Sequence, residues 1–70
     1  MAVPRQAVRA GHCYRDSFGA VWRVLGFDGR GVICVLYHRD ACGALVERPH
    51  TETWDNFLAD IEGEVACPAA

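Results

Sequence analysis

The stretch Ala20-Val21-Trp22-Arg23-Val24-Leu25-Gly26-Phe27-Asp28-Gly29-Arg30-Gly31-Val32-Ile33-Cys34-Val35-Leu36-Tyr37-His38 decides the fold class. Two runs rich in β-branched and aromatic residues flank Asp28-Gly29. Asp-Gly between such runs marks a tight hairpin, because the turn needs positive φ at its central residues. Along the first run Trp22 and Val24 fall on one face, and Val21, Leu25 and Phe27 on the other. The second run, Val32 to His38, is almost unbroken in apolar character and predicts a central strand covered on both faces.

Working outward, His12 to Arg15 reads as a preceding strand and Asp16-Ser17-Phe18-Gly19 as the turn that joins it to the hairpin. Arg39 to Gly43 reads as the next connection and Ala44 to Arg48 as a further strand, stopped by Pro49, which has no N–H for a ladder. Beyond it Trp54, Phe57, Leu58 and Ile61 fall at i, i+3, i+4 and i+7, so residues 51–61 predict a short helix ended near Gly63. A helical turn followed by a last strand is the competing reading, because Phe57, Ala59 and Ile61 also alternate with polar neighbours. The expected fold is therefore mainly β: an antiparallel meander of about four strands curled into an SH3-like half barrel, with a short C-terminal helix. Trp22, Val24, Cys34, Leu36, Leu45, Phe57 and Ile61 are its expected core.

Residues 1–10 lack a clean period and read as a flexible arm, 11–63 as one small β domain, and 64–70 as a mobile tail. No internal repeat stands out. A chain of 70 residues, 51% hydrophobic and 23% charged, holds one folding unit and leans on its large rings: Tyr14, Trp22, Phe27, Tyr37, Trp54 and Phe57. Rings left outside one core would need a second copy or a partner, which makes a homodimer the alternative arrangement. The net charge of −2 divides unevenly. Residues 1–30 carry five Arg and two Asp, and residues 31–70 two Arg and seven acids, a division that predicts internal pairing rather than nucleic-acid affinity. All basic residues are Arg and Ala is frequent, a composition of GC-rich bacterial genomes. No window approaches the roughly 20 apolar residues of a spanning helix, and Met1 to Ala10 has no signal-like apolar run. The expected location is the cytoplasm, with Cys13, Cys34, Cys42 and Cys67 kept as thiols.

The segments Tyr14-Arg15-Asp16, Gly19, Trp22-Arg23-Val24-Leu25-Gly26, Val35-Leu36-Tyr37, Leu45, Arg48-Pro49 and Asn56-Phe57-Leu58 run in a familiar order. Between roughly Gly11 and Glu64 the chain resembles a small bacterial family of unknown function with the pattern G-x-Y-R-H-x-K-G, Y-x-V-L-G, V-V-Y and W-V-R-P before M-F. The resemblance implies a compact SH3-like β domain and brings no activity, ligand or cofactor. Asp16 stands at the family's second His, Phe18 at its turn Lys, and its longer connection after V-L-G is shortened to Asp28–Gly31.

Several residue groups carry candidate chemistry. Cys34, His38 and Cys42, with His12 and Cys13 alongside, are good zinc-ligand types, but no Cys-x-x-Cys knuckle is present and Cys34 lies inside an apolar run. His38, Asp40 and Cys42 contain the types of a thiol nucleophile, base and orienting acid, yet so short a chain has little material to wall a pocket. Tyr14-Arg15, Trp22-Arg23 and Tyr37-His38-Arg39 would suit base stacking with phosphate contacts; the simpler reading puts each ring in the core and its arginine in water. The stripe at Trp54, Phe57, Leu58 and Ile61 covers the sheet or docks on a partner, and Glu52, Asp55, Asp60, Glu62 and Glu64 form a solvated face. The expected function is a non-enzymatic binding or accessory module presenting a sheet face or edge to a protein partner, through Trp22, Tyr37 and Trp54 with Arg15, Arg23 and Arg39. No catalytic residue, metal, cofactor or membrane contact is expected. A nucleic-acid-binding accessory protein and a small zinc module are the alternatives.

Overall fold

The computed structural model describes residues 3–68. A single 3₁₀ turn, Arg5–Ala7, leads into β1 (Cys13–Asp16), β2 (Val21–Asp28), β3 (Gly31–Arg39) and β4 (Leu45–Glu52), followed by α1 (Trp54–Asp60) and β5 (Ile61–Val65). All strand pairs are antiparallel and form one open sheet in the order β4-β3-β2-β1-β5. The chain is thus mainly β, as its alternation implied, with five strands rather than about four.

The hairpin of β2 and β3 closes where Asp28-Gly29 predicts, with Asp28 opposite Gly31. The Asp28 carboxylate accepts from the N–H groups of Arg30 and Gly31 at 2.8 and 3.1 Å. These bonds, that of Arg30 first, hold its pKa below the ordinary value against partial desolvation. Leu25 is the extra residue of a bulge between Val24 and Gly26, which strengthens the local twist and leaves its side chain exposed. Inner strand β3 is buried or half-buried from Gly31 to Tyr37, as its unbroken apolar run implied.

Alternation and register sort the core into two layers. On one face Tyr14, Val24, Val32 and Cys34 pack with Val8, Phe57 and Ile61, flanked by Trp22, Trp54 and Leu58. On the other Cys13, Val35 and Tyr37 pack with Val21, Leu45 and Val65. Helix α1 covers the first face, and burial of each large apolar side chain there contributes about 1.5–3 kcal/mol. Leu45, expected in a single core, lies in the second layer, and Leu36 is half-buried.

Four expectations are corrected. Pro49 does not stop β4, which runs past it to Glu52; β4 is an edge strand, where a missing N–H costs no ladder bond. The two readings of residues 51–62 are each half right. Thr53 caps α1 by accepting from the Asn56 N–H, and the chain turns extended at Ile61 to pair with β1, so Gly63 sits in β5 opposite Arg15 instead of ending the helix. The folded unit also reaches outside 11–63. Val8 is buried beside Tyr14, whose hydroxyl donates to the Ala7 carbonyl and accepts from the Arg9 N–H, and β5 extends to Val65. Finally, Cys13 and Cys67 are not thiols but a disulfide, because β5 returns antiparallel to β1 and brings their Cα atoms to 5.2 Å. Cys34 and Cys42 are free.

Candidate functional site

Two turns at the same end of the sheet are built alike. In Asp16-Ser17-Phe18-Gly19-Ala20, one Asp16 carboxylate oxygen accepts from the N–H groups of Phe18 and Ala20, both at 2.9 Å. In Asp40-Ala41-Cys42-Gly43-Ala44, one Asp40 oxygen accepts from Cys42 and Ala44, again at 2.9 Å. Each turn also closes with a backbone bond from the Asp N–H to the Ala carbonyl, and its glycine has positive φ, 85° at Gly19 and 82° at Gly43. The short repeat Asp-x-x-Gly-Ala is a repeated turn that the search for longer periods passes over.

Phe18 and Cys42 occupy the same position in the two turns and both are exposed, Phe18 to 88% of its surface. A groove of about 420 Å³ lies beside the first turn and the base of the second, lined chiefly by Phe18, Val21, Tyr37, His38, Arg39 and Leu45. Pro68 also lines it, next to the disulfide that ties the C-terminal segment to β1. The backbone under Phe18 is tied down by Asp16, so the ring is held outward without being packed into either core layer.

The strand register places the expected site residues on two different faces. Arg15, Val21, Tyr37 and Glu47 form one row across β1 to β4; Cys13, Arg23, Val35 and Pro49 form the next; Arg39 pairs with Leu45 on the other side of the first row. Arg15, Arg23 and Arg39 therefore share the open face with Tyr37. Arg15 pairs with Glu62 at 3.8 Å and the Arg39 guanidinium donates to the Gly43 carbonyl, whereas neither Arg23 nor Arg39 pairs with an acid among the described residues. Tyr37 itself is 7% exposed and forms the floor rather than the rim.

Trp22 and Trp54 lie on the helix-covered face and do not join this groove. The Trp22 indole N–H donates to the second Asp16 oxygen at 2.9 Å, and its ring tilts against His50. Trp54 stacks on Phe27 with the ring centroids 5.2 Å apart, and the Arg5 guanidinium lies over the Trp54 ring, 4.3 Å from its centroid. Arg5, Gln6, Val8, Phe27 and Trp54 border a second, shallower hollow of about 400 Å³. Both tryptophans are thus committed to contacts within the chain.

The proposed chemical clusters are dispersed. Cys34 is buried under α1 and its thiol donates to the His50 carbonyl, while Cys42 sits at a turn tip. Among the described residues no group of three His, Cys, Asp or Glu side chains is arranged to hold a metal ion. Asp40 is occupied by turn N–H groups instead of orienting His38, so His38, Asp40 and Cys42 are not assembled as a relay. Burial, and after it the Glu52 carboxylate, pushes the Cys34 thiol up to about 11, which leaves it protonated and unreactive at neutral pH.

No family model, curated protein or solved structure matches the chain.

Sequence reasoning missed Phe18, taken only as a turn residue, and Pro68, assigned to the tail. The signal for Phe18 was available: a large apolar side chain inside an Asp-x-x-Gly turn has no strand face on which to hide.

Proposed function

We propose that the protein is a non-enzymatic binding module whose open sheet face, centred on Phe18, receives a protein partner. The observation that carries this reading is the 88% exposure of Phe18 beside the groove lined by Val21, Tyr37 and Leu45. A ring held in water by a rigid turn gains nothing for the fold, and aromatic side chains at the rim of a groove are the usual anchors of interfaces. A face is favoured over an edge. β4 carries Pro49 and β5 is short and bulged, and both features obstruct the addition of another strand.

The sheet is read as an SH3-like half barrel. Support comes from β5 lying beside β1, a helical segment between β4 and β5, and the bulge that bends β2 at Leu25. The resemblance to a small bacterial family of unknown function agrees with this architecture and adds no ligand. Among the described residues no helix is long and apolar enough to cross a membrane. A disulfide persists in oxidising surroundings, so Cys13–Cys67 supports a folded form that meets them, and the cytoplasmic expectation applies to the reduced chain.

Nucleic-acid binding is the second reading, favoured by the placement of Arg15, Arg23 and Arg39 on one face. Three arginines on a chain of net charge −2 are few for tracking a phosphate backbone, and with Tyr37 buried the groove lining offers Phe18 and His38 as its exposed rings, few for stacking successive bases.

A photo-crosslinking phenylalanine analogue at position 18, and in a control chain at position 25, tests the proposal in cells producing the protein. Leu25 is also exposed, at 53%, but lies at the bulge outside the groove. One discrete protein adduct from position 18 and none from position 25 is the expected result. Adducts to nucleic acid, or equal labelling from both positions, would overturn it; an adduct with a second copy would identify the partner as the chain itself.

A further inference from the structure

The charges around the groove identify the chemistry of what it takes. We infer that the partner offers an extended acidic segment, with one apolar side chain seated between Phe18 and Leu45 and carboxylates on either side meeting Arg23 and Arg39. This rests on the protein-binding reading above and deepens it.

The two faces of the sheet differ in sign. Along β1 to β5 the open face carries Arg15, Arg23 and Arg39 with Glu47, while the helix-covered face carries Arg48 with Asp16, Glu52 and Glu64. Glu62 is spent on Arg15, and at the far end of the sheet Asp28 is paired with Arg30. The open face is therefore a basic surface on a chain of net charge −2, and Arg23 and Arg39 are its two cations not paired with an acid. Charge complementarity selects an acidic partner and disfavours a basic one at the point of contact.

Spacing adds a second constraint. Arg23 lies one row from Tyr37 along the strands and Arg39 one row to the other side, on the neighbouring strand. At about 7 Å per row and 4.8 Å per strand, the two guanidinium-bearing positions are roughly 15 Å apart, the span of about four residues of extended chain. Between them lies the row of Val21 and Tyr37, with Leu45 and Phe18 at the groove wall. Glu47 faces the same middle row, so a carboxylate is disfavoured there and an apolar side chain is favoured. An extended segment directs residues i, i+2 and i+4 to one side, which fits acid, apolar, acid.

The test uses the whole chain, isotope-labelled and oxidised, titrated with the capped peptide Glu-Ala-Leu-Ala-Glu and with its Lys-Ala-Leu-Ala-Lys counterpart, while amide shifts are followed by NMR. The acidic peptide should move the amides of Phe18, Val21 and Leu45 and bind at least about tenfold more tightly than the basic one. In the double variant Arg23→Glu, Arg39→Glu the order of preference should invert. Equal response to both peptides, no response to either, or shifts confined to the α1 side would overturn the inference. A short oligothymidylate that moves the same amides in place of the acidic peptide would assign the face to nucleic acid and also overturn it. If position 18 still cross-links to a protein while the acidic peptide is inert, the protein-binding reading stands and the acidic partner falls.

Discussion

The turns 16–20 and 40–44 share residue types, hydrogen bonds and glycine geometry, yet they do different work. Asp16 is 6% exposed and holds three donors, the N–H groups of Phe18 and Ala20 and the Trp22 indole. Asp40 is exposed and holds only the two backbone donors of its own turn. The strand leading into the first turn is also locked at its other end by the Cys13–Cys67 disulfide, whereas the second turn joins β3 to an edge strand. The same turn chemistry therefore gives a rigid wall at Phe18 and Gly19, and on the other side an adaptable hairpin whose base, Arg39 and Leu45, lines the groove. Phe18, the ring proposed to meet a partner, sits on the rigid side.

The largest effect should come from unlocking that wall. The disulfide joins residues 54 apart in sequence, and the chain-entropy estimate for such a loop is about 4 kcal/mol. Cys67→Ser, or mild reduction, should lower the thermal midpoint by about 16 °C or more. Calorimetry of the oxidised chain and the variant checks this, and an unchanged midpoint would mean that the C-terminal segment is not coupled to the fold.

Next come the two aspartates. Asp16→Ala leaves three donors without an acceptor, one of them an indole packed beside the core, and should cost about 3 kcal/mol. Asp40→Ala exposes its two freed N–H groups to water and should cost about 1 kcal/mol. Urea unfolding of the pair measures the gap, and equal losses would erase the distinction between the walls.

A smaller contrast separates the thiols. Cys42, at the tip of the adaptable turn, should react with iodoacetamide at pH 8 within the time in which buried Cys34 stays unmodified, as a mass-spectrometric time course would report. The thiol of Cys34 is raised from 9.0 to about 11 by burial and by Glu52. Between these values the folded chain retains a proton that the unfolded chain has lost. The Cys34 contribution to stability is therefore intact below pH 9.0 and declines as pH rises toward about 11. A Cys34→Ala chain should lose that part of the alkaline decline.

The contrast between the walls also marks what could be read from residues in order. The β2–β3 hairpin was legible because Asp28-Gly29 and the Val32–His38 run act locally, and the burial of β3 followed from the run itself. Pairing of β5 with β1, and with it the disulfide and the place of Pro68, depends on contacts between the two ends of the chain, which no local period reports. Trp22 and Trp54 drew the site reading because large rings look surplus in a short chain, yet Asp16, Phe27 and Arg5 engage them internally. Arg15, Arg23 and Arg39 were chosen for their neighbouring rings, but they share a face through strand register, which needs the pairing to be known.

The most direct measurement is the unfolding free energy of Phe18→Ser against the parent chain. If the ring is held out of the core for a partner, the unfolding free energies from urea titration should agree to within about 0.5 kcal/mol, as for an ordinary surface substitution. A loss of about 2 kcal/mol or more, the scale of a buried aromatic side chain, would place Phe18 in the fold and contradict the account of the groove.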